Sequence, residues 1–75
     1  MRRYTILLTP EPEQGGYIVD VPALPGCHTL GDTLEEAIAN AREAIAGWIE
    51  DAERHGEEIP EESVAPQVLT IDVAA

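Results

Sequence analysis

Cys27 is the only cysteine of the chain, and it stands next to His28, one of two histidines. A thiol becomes a catalytic nucleophile only with a basic neighbour and a site for the developing oxyanion. Neighbours on a strand point to opposite faces, so His28 turns away from Cys27. His55 lies far along the chain, with no spacing that brings it back. No Cys-x-x-Cys or His-x-x-x-His pattern suggests a metal centre. The expectation is therefore a half-buried packing role for Cys27 and a surface position for His28. Gly15-Gly16 lacks the long phosphate-cradling pattern and the lysine that follows it. Trp48 fits a helical apolar stripe and is expected in the core.

Carboxylates are so plentiful that an acid–base pair can always be drawn, so their abundance points to no reaction. An enzyme built on Cys27 or on a carboxylate remains a formal alternative with no legible constellation behind it. No catalytic residue, cofactor or metal is expected. More informative are Glu36, Glu43 and Glu50, spaced seven apart and hence nearly aligned along a helix, and Glu57, Glu58, Glu61 and Glu62 in the loop beyond it. These seven acids are the candidate partner-binding residues. The plainer reading of the same pattern is a solvated face.

The charge balance supports a binding role. Fifteen acids against four arginines, without lysine, give a net charge of −11. Wrapping nucleic acid requires a basic patch that four scattered arginines do not supply, and anionic lipid would repel such a surface. A basic protein partner, or simply a soluble self-repelling surface, fits better. Seventy-five residues form one domain, 1–75, and the 44% apolar fraction indicates a folded core rather than an acidic disordered tail. So short a chain has a thin core and gains from homo-oligomerisation, as a dimer or tetramer. A lone thiol suits the reducing cytoplasm. The apolar run Tyr4–Leu8 is too short for a signal peptide, and no stretch approaches the roughly 20 residues of a membrane span.

The elements follow from periodicity. Arg3–Thr9 and Tyr17–Val21 alternate as strands and are joined by a turn ending in Gly15-Gly16, which predicts an antiparallel hairpin. Pro22–Gly26 is a stiff loop, and Cys27–Leu30 a short third strand closed by Gly31. The period then changes to 3.6. Thr33 caps a helix with Glu36 in the capping-box position, and Leu34, Ile38, Ala41, Ile45, Trp48, Ile49 and Ala52 form its apolar stripe. Gly47 falls on the polar side, and Gly56 closes the helix. Val68–Val73 alternates again as a last strand. The expected fold is α+β, in the order β-β-β-α-β. One helix covers the sheet face of Tyr4, Ile6, Val19 and Ile71, and leaves Leu7, Ile18 and Leu30 on the other face. That leftover apolar strip, or an unpaired edge strand, invites self-association.

One block carries a resemblance. Residues 21–37, Val-Pro-Ala-Leu-Pro-Gly-Cys-His-Thr-Leu-Gly-Asp-Thr-Leu-Glu-Glu-Ala, resemble the signature of HicB-family antitoxins. That signature is Pro-x-Leu-Pro-Gly-Cys, a short strand, then Gly-Asp-Thr-x-Glu-Glu-Ala opening a helix. Asn40–Ile45 and the loop from Gly56 to Pro60 are similar as well, so the likeness runs from about Tyr4 to Val73. The resemblance implies a partial ribonuclease-H-like fold without nuclease activity. It also implies a small basic HicA-type toxin, which cleaves messenger RNA, as the partner to be masked. Many family members continue into a DNA-binding domain, whereas this sequence stops at Ala75, so operator binding by the chain alone is not expected. An orphan member, oligomeric and without a toxin, is the alternative.

Overall fold

The computed structural model describes residues 2–62 and 66–74. Strand β1, Leu7–Pro10, pairs antiparallel with β2, Tyr17–Asp20, and β2 pairs antiparallel with β3, His28–Gly31. The sheet order is β1-β2-β3, which leaves β1 and β3 as edges. Helix α1, Leu34–Arg54, follows and packs mainly on β3 and β2. The α+β architecture, the hairpin and the helix are as the periodicity predicts.

The first strand is shorter than the Arg3–Thr9 expected, for a reason visible in its partner. Leu7 pairs with Asp20, the last residue of β2. Beyond it the Val21 amide donates instead to the Cys27 carbonyl at 3.0 Å, and Pro22 has no amide to offer. Arg3–Ile6 therefore find no ladder on that side. The Val21–Cys27 loop closes on itself, with the Leu24 amide on the Val21 carbonyl and the Cys27 amide on the Leu24 carbonyl, each at 3.0 Å. This double turn drives Leu24 to complete burial.

Side chains alternate across the sheet. Val19 faces the helix and is fully buried against Ala37 and Ala41, with Ile6, Leu8 and Tyr17 packed around them. Val21, Leu24 and Cys27 form a second cluster under Tyr4, Ile45 and Trp48. On the other face Ile18 lies beside Leu30, which is 64% exposed. Gly31 sets how near the helix comes. A Cβ there would collide with the backbone of Ala37 and lie 2.8 Å from its Cβ. The helix therefore seats on its alanines, and Leu34, expected in the apolar stripe, is 45% exposed. Asn40 Nδ2 adds a bond to the Leu30 carbonyl at 2.7 Å.

At the start of the helix Thr33 Oγ1 accepts the Glu36 amide at 3.1 Å, and Glu36 Oε1 accepts the Asp32 amide at 3.0 Å. This is the expected capping box, displaced by one residue on its return arm. At the far end Gly56, at φ 67°, donates to the Glu53 carbonyl and ends the helix. The chain then crosses to the start of the sheet. Tyr4 Oη donates to the Pro60 carbonyl at 2.6 Å, and the Thr5 amide to Glu62 Oε1 at 3.0 Å.

The closing strand needs correction. Residues 66–74 join no ladder, and Val68, Leu69, Ile71 and Val73 are 84%, 79%, 77% and 76% exposed. Ile71 is thus not under the helix. Alternation belongs to the sequence, but a strand exists only where a neighbour supplies amides and carbonyls, and among the described residues this segment has no ladder partner. The chain measures 47 × 28 × 20 Å with a radius of gyration of 14.5 Å. A compact chain of this length would have about 11 Å. The segment therefore stands off the body as an arm.

Candidate partner-binding surfaces

The aligned acids of α1 lie on its outer side, and Glu36, Glu43 and Glu50 are all exposed. They are not equivalent. The Glu36 carboxylate holds the Asp32 amide and so belongs partly to the cap. Glu50 Oε1 meets Arg54 Nη2 at 3.0 Å, with the two side chains 73% and 67% exposed. Such an exposed pair contributes little to stability and leaves the carboxylate accessible.

The loop acids divide into two places. Glu57 and Glu58 are exposed just beyond the helix, and Glu61 and Glu62 line an open cleft of about 310 Å³ with Arg2, Arg3 and Tyr4. Glu62 is half-buried on the Thr5 amide and acts as a stitch between the loop and the start of the sheet. The seven acids therefore occupy three places: an outer helix ridge, a helix end and a cleft.

Of the other groups, His28 is on the surface as expected, whereas Cys27 is more deeply buried than the half-buried position expected and Trp48 is only partly buried at the edge of the core. Cys27 is buried and burial pushes its thiol pKa up, which disfavours the thiolate, while His28 is exposed. Trp48 packs on the Leu24 cluster, and its Nε1 also donates to the Pro25 carbonyl at 3.0 Å, which pins the proline loop to the helix. His55 Nδ1 lies 2.8 Å from the Asp51 carbonyl. That bond raises the His55 pKa above its ordinary value, and the charges of Asp51 and Glu57 add to it. Among the described residues no three of His, Cys, Asp and Glu converge as metal ligands. No described helix is long and apolar enough to cross a membrane.

Sequence reasoning treated the arginines as scattered, yet three of the four gather. Arg2, Arg3 and Arg42 rim an open trough of about 460 Å³ whose floor is Tyr4, Ile45, Ala46 and Ile49. The trough lies between the N-terminal segment and α1, which packs on β3 and β2 rather than on β1. Its only sequence signal is that Arg42 precedes Ile45 and Ile49 on successive turns of one face. The path of the N-terminal segment could not be read from spacing.

An acidic α+β domain with a three-stranded antiparallel sheet, one capped helix and open charged surfaces is thus the class of protein that fold and surfaces define. The family model described as HicB-like antitoxin of bacterial toxin-antitoxin system matches residues 4–71, and the chain belongs to that family. A UPF0150 protein of Thermoplasma acidophilum is 48% identical over 61 residues, covering 81% of this chain and 87% of its own length. One from Synechocystis is 44% identical over 91% of this chain and 85% of its own. Antitoxin HicB 1 of Photorhabdus laumondii is 41% identical over 77% of this chain, which spans 37% of that longer relative.

Proposed function

We propose that the chain is a non-catalytic, cytoplasmic antitoxin that binds a small basic HicA-type ribonuclease and covers its catalytic and RNA-binding surface. Binding would combine steric occlusion with electrostatic competition against RNA. Membership of an antitoxin family supports the reading, as does the net charge of −11. The observation that carries it is the outer ridge of α1, where Glu36, Glu43 and Glu50 stand exposed in one line. A row of carboxylates at helical spacing presents charge where a cationic RNA groove can meet it, and complementary fields speed encounter and disfavour wrong partners. Glu57, Glu58, Glu61 and Glu62 are the secondary candidates, with Glu62 partly engaged by the fold.

The test pairs this chain with the basic protein encoded beside its gene. Calorimetry should show a complex that weakens as salt rises, and co-expression should restore growth. The double variant Glu43→Lys/Glu50→Lys should bind at least tenfold more weakly while keeping its helical circular dichroism. Flat calorimetry at low ionic strength against a cognate basic toxin would sink the proposal. The alternative is an oligomeric interaction domain without a toxin, and the exposed apolar arm speaks for self-association under either reading.

A further inference from the structure

We propose that the arm of one copy, residues 68–73, completes a second copy by pairing with its free β1 edge and filling its arginine-rimmed trough. The exchange is reciprocal and makes a closed two-fold dimer.

Three observations carry this. The arm is a strand by pattern, with Leu69, Ile71 and Val73 on one side and Val68, Thr70 and Asp72 on the other. It is also the largest exposed apolar segment described, while its own chain leaves it unpaired. Second, β1 is an open edge, and an open edge accepts an added strand through its unpaired amides and carbonyls. A strand laid there and continued past Leu7 would bring alternate side chains toward the trough lined by Tyr4, Ile45 and Ile49. The apolar side of the arm meets the apolar floor of the trough. Third, the charges match. The single charge in the arm is Asp72, and the rim of the trough holds three of the four arginines of a chain that is otherwise strongly anionic.

The occupant is a second copy rather than the same chain. The stitches at Tyr4–Pro60 and Thr5–Glu62 hold residues 60–62 beside the segment that leads into β1, yet the apolar residues of the arm are exposed on their own chain. The long axis of 47 Å records that separation. An arm held off its own body and a trough left open on the same body satisfy each other when two chains trade.

Sedimentation velocity on the full chain, with mixed-label NMR, tests the exchange. Equal amounts of carbon-13-labelled and unlabelled chain should sediment at twice 8.1 kDa. Filtered NOEs should link the Leu69, Ile71 and Val73 methyls of one copy to Tyr4, Ile45 and Ile49 of the other. Two variants attack opposite sides of the contact. Ile71→Asp changes an exposed arm residue, and Ala46→Glu places a charge on the exposed floor of the trough, so neither disturbs the buried clusters. Each should raise the dimer dissociation constant at least tenfold with circular dichroism unchanged. A monomer at high micromolar concentration, NOEs confined within one copy, or a dimer insensitive to Ala46→Glu would each overturn the exchange. Toxin binding can survive or fail independently of all three.

Discussion

Leu24 shows how one residue holds much of a small protein. It is fully buried between two prolines, in a loop that closes on both sides through its own amide and carbonyl. Leu24→Ala should cost about 2–5 kcal/mol, because the double turn leaves the cavity little room to collapse. Urea titration should show the midpoint falling or the folded baseline lost. Cys27, in the same cluster, should react slowly with a disulfide reagent until the chain is denatured, because burial keeps its thiol protonated. Gly47 makes the opposite case. Nothing lies within 4 Å of a Cβ placed there, so Gly47→Ala should raise stability by about 0.5–1 kcal/mol. A drop in stability would contradict the open space found around that position. Legibility at this scale depended on partners. Cys27 and His28 were assigned from strand alternation alone. Leu24 was passed over because no period governs a loop, although an apolar residue flanked by Pro22 and Pro25 was a signal that it could be tucked inward.

Elements were legible where their cause is local. Helix α1 starts at Leu34 because Thr33 and Glu36 cap it, and both residues were visible three apart. Thr33→Ala should cost about 1 kcal/mol, read as a fall of about 4–8 °C in melting temperature for a domain of this size. Which helix face is buried was less legible. Periodicity chose Leu34, but Gly31 lets the backbones approach until Ala37 occupies the contact. The C-terminal turn adds a pH dependence. Folding raises the His55 pKa, chiefly through the Asp51 carbonyl, so the protonated ring is the form that folding favours. Its contribution is complete below the ordinary value of 6.5 and is lost as pH rises through the folded value. An NMR titration should place the imidazole midpoint above 6.5, with amide protection factors in the last turn, corrected for the intrinsic exchange rate, falling at higher pH. The arm was the element least predictable in place. Its alternation was plain, but whether a strand finds its ladder at home or on a neighbour is decided by contacts far apart in sequence.

For the molecule as a whole, charge sorts two kinds of association. Two copies carry −11 each and repel at long range, so the dimer should tighten with added salt as screening removes the repulsion. A complex with a basic toxin should loosen over the same range. Opposite slopes in one titration series would separate the two contacts without any mutation, and parallel slopes would show that one surface serves both. The sequence-level charge argument anticipated the anionic field but not its one local reversal, because Arg2 and Arg3 meet Arg42 only after the sheet and helix are assembled.

The two stitches near Tyr4 and Thr5 also bear on laboratory practice. They bring the loop that follows the helix to the opening residues of the chain, so residues 60–62 lie beside the N-terminal segment whose Arg2 and Arg3 rim the hollow. An affinity handle or fluorescent fusion placed ahead of Arg2 would therefore crowd that mouth. Such a tag should raise the dissociation constant of the proposed strand-exchanged dimer.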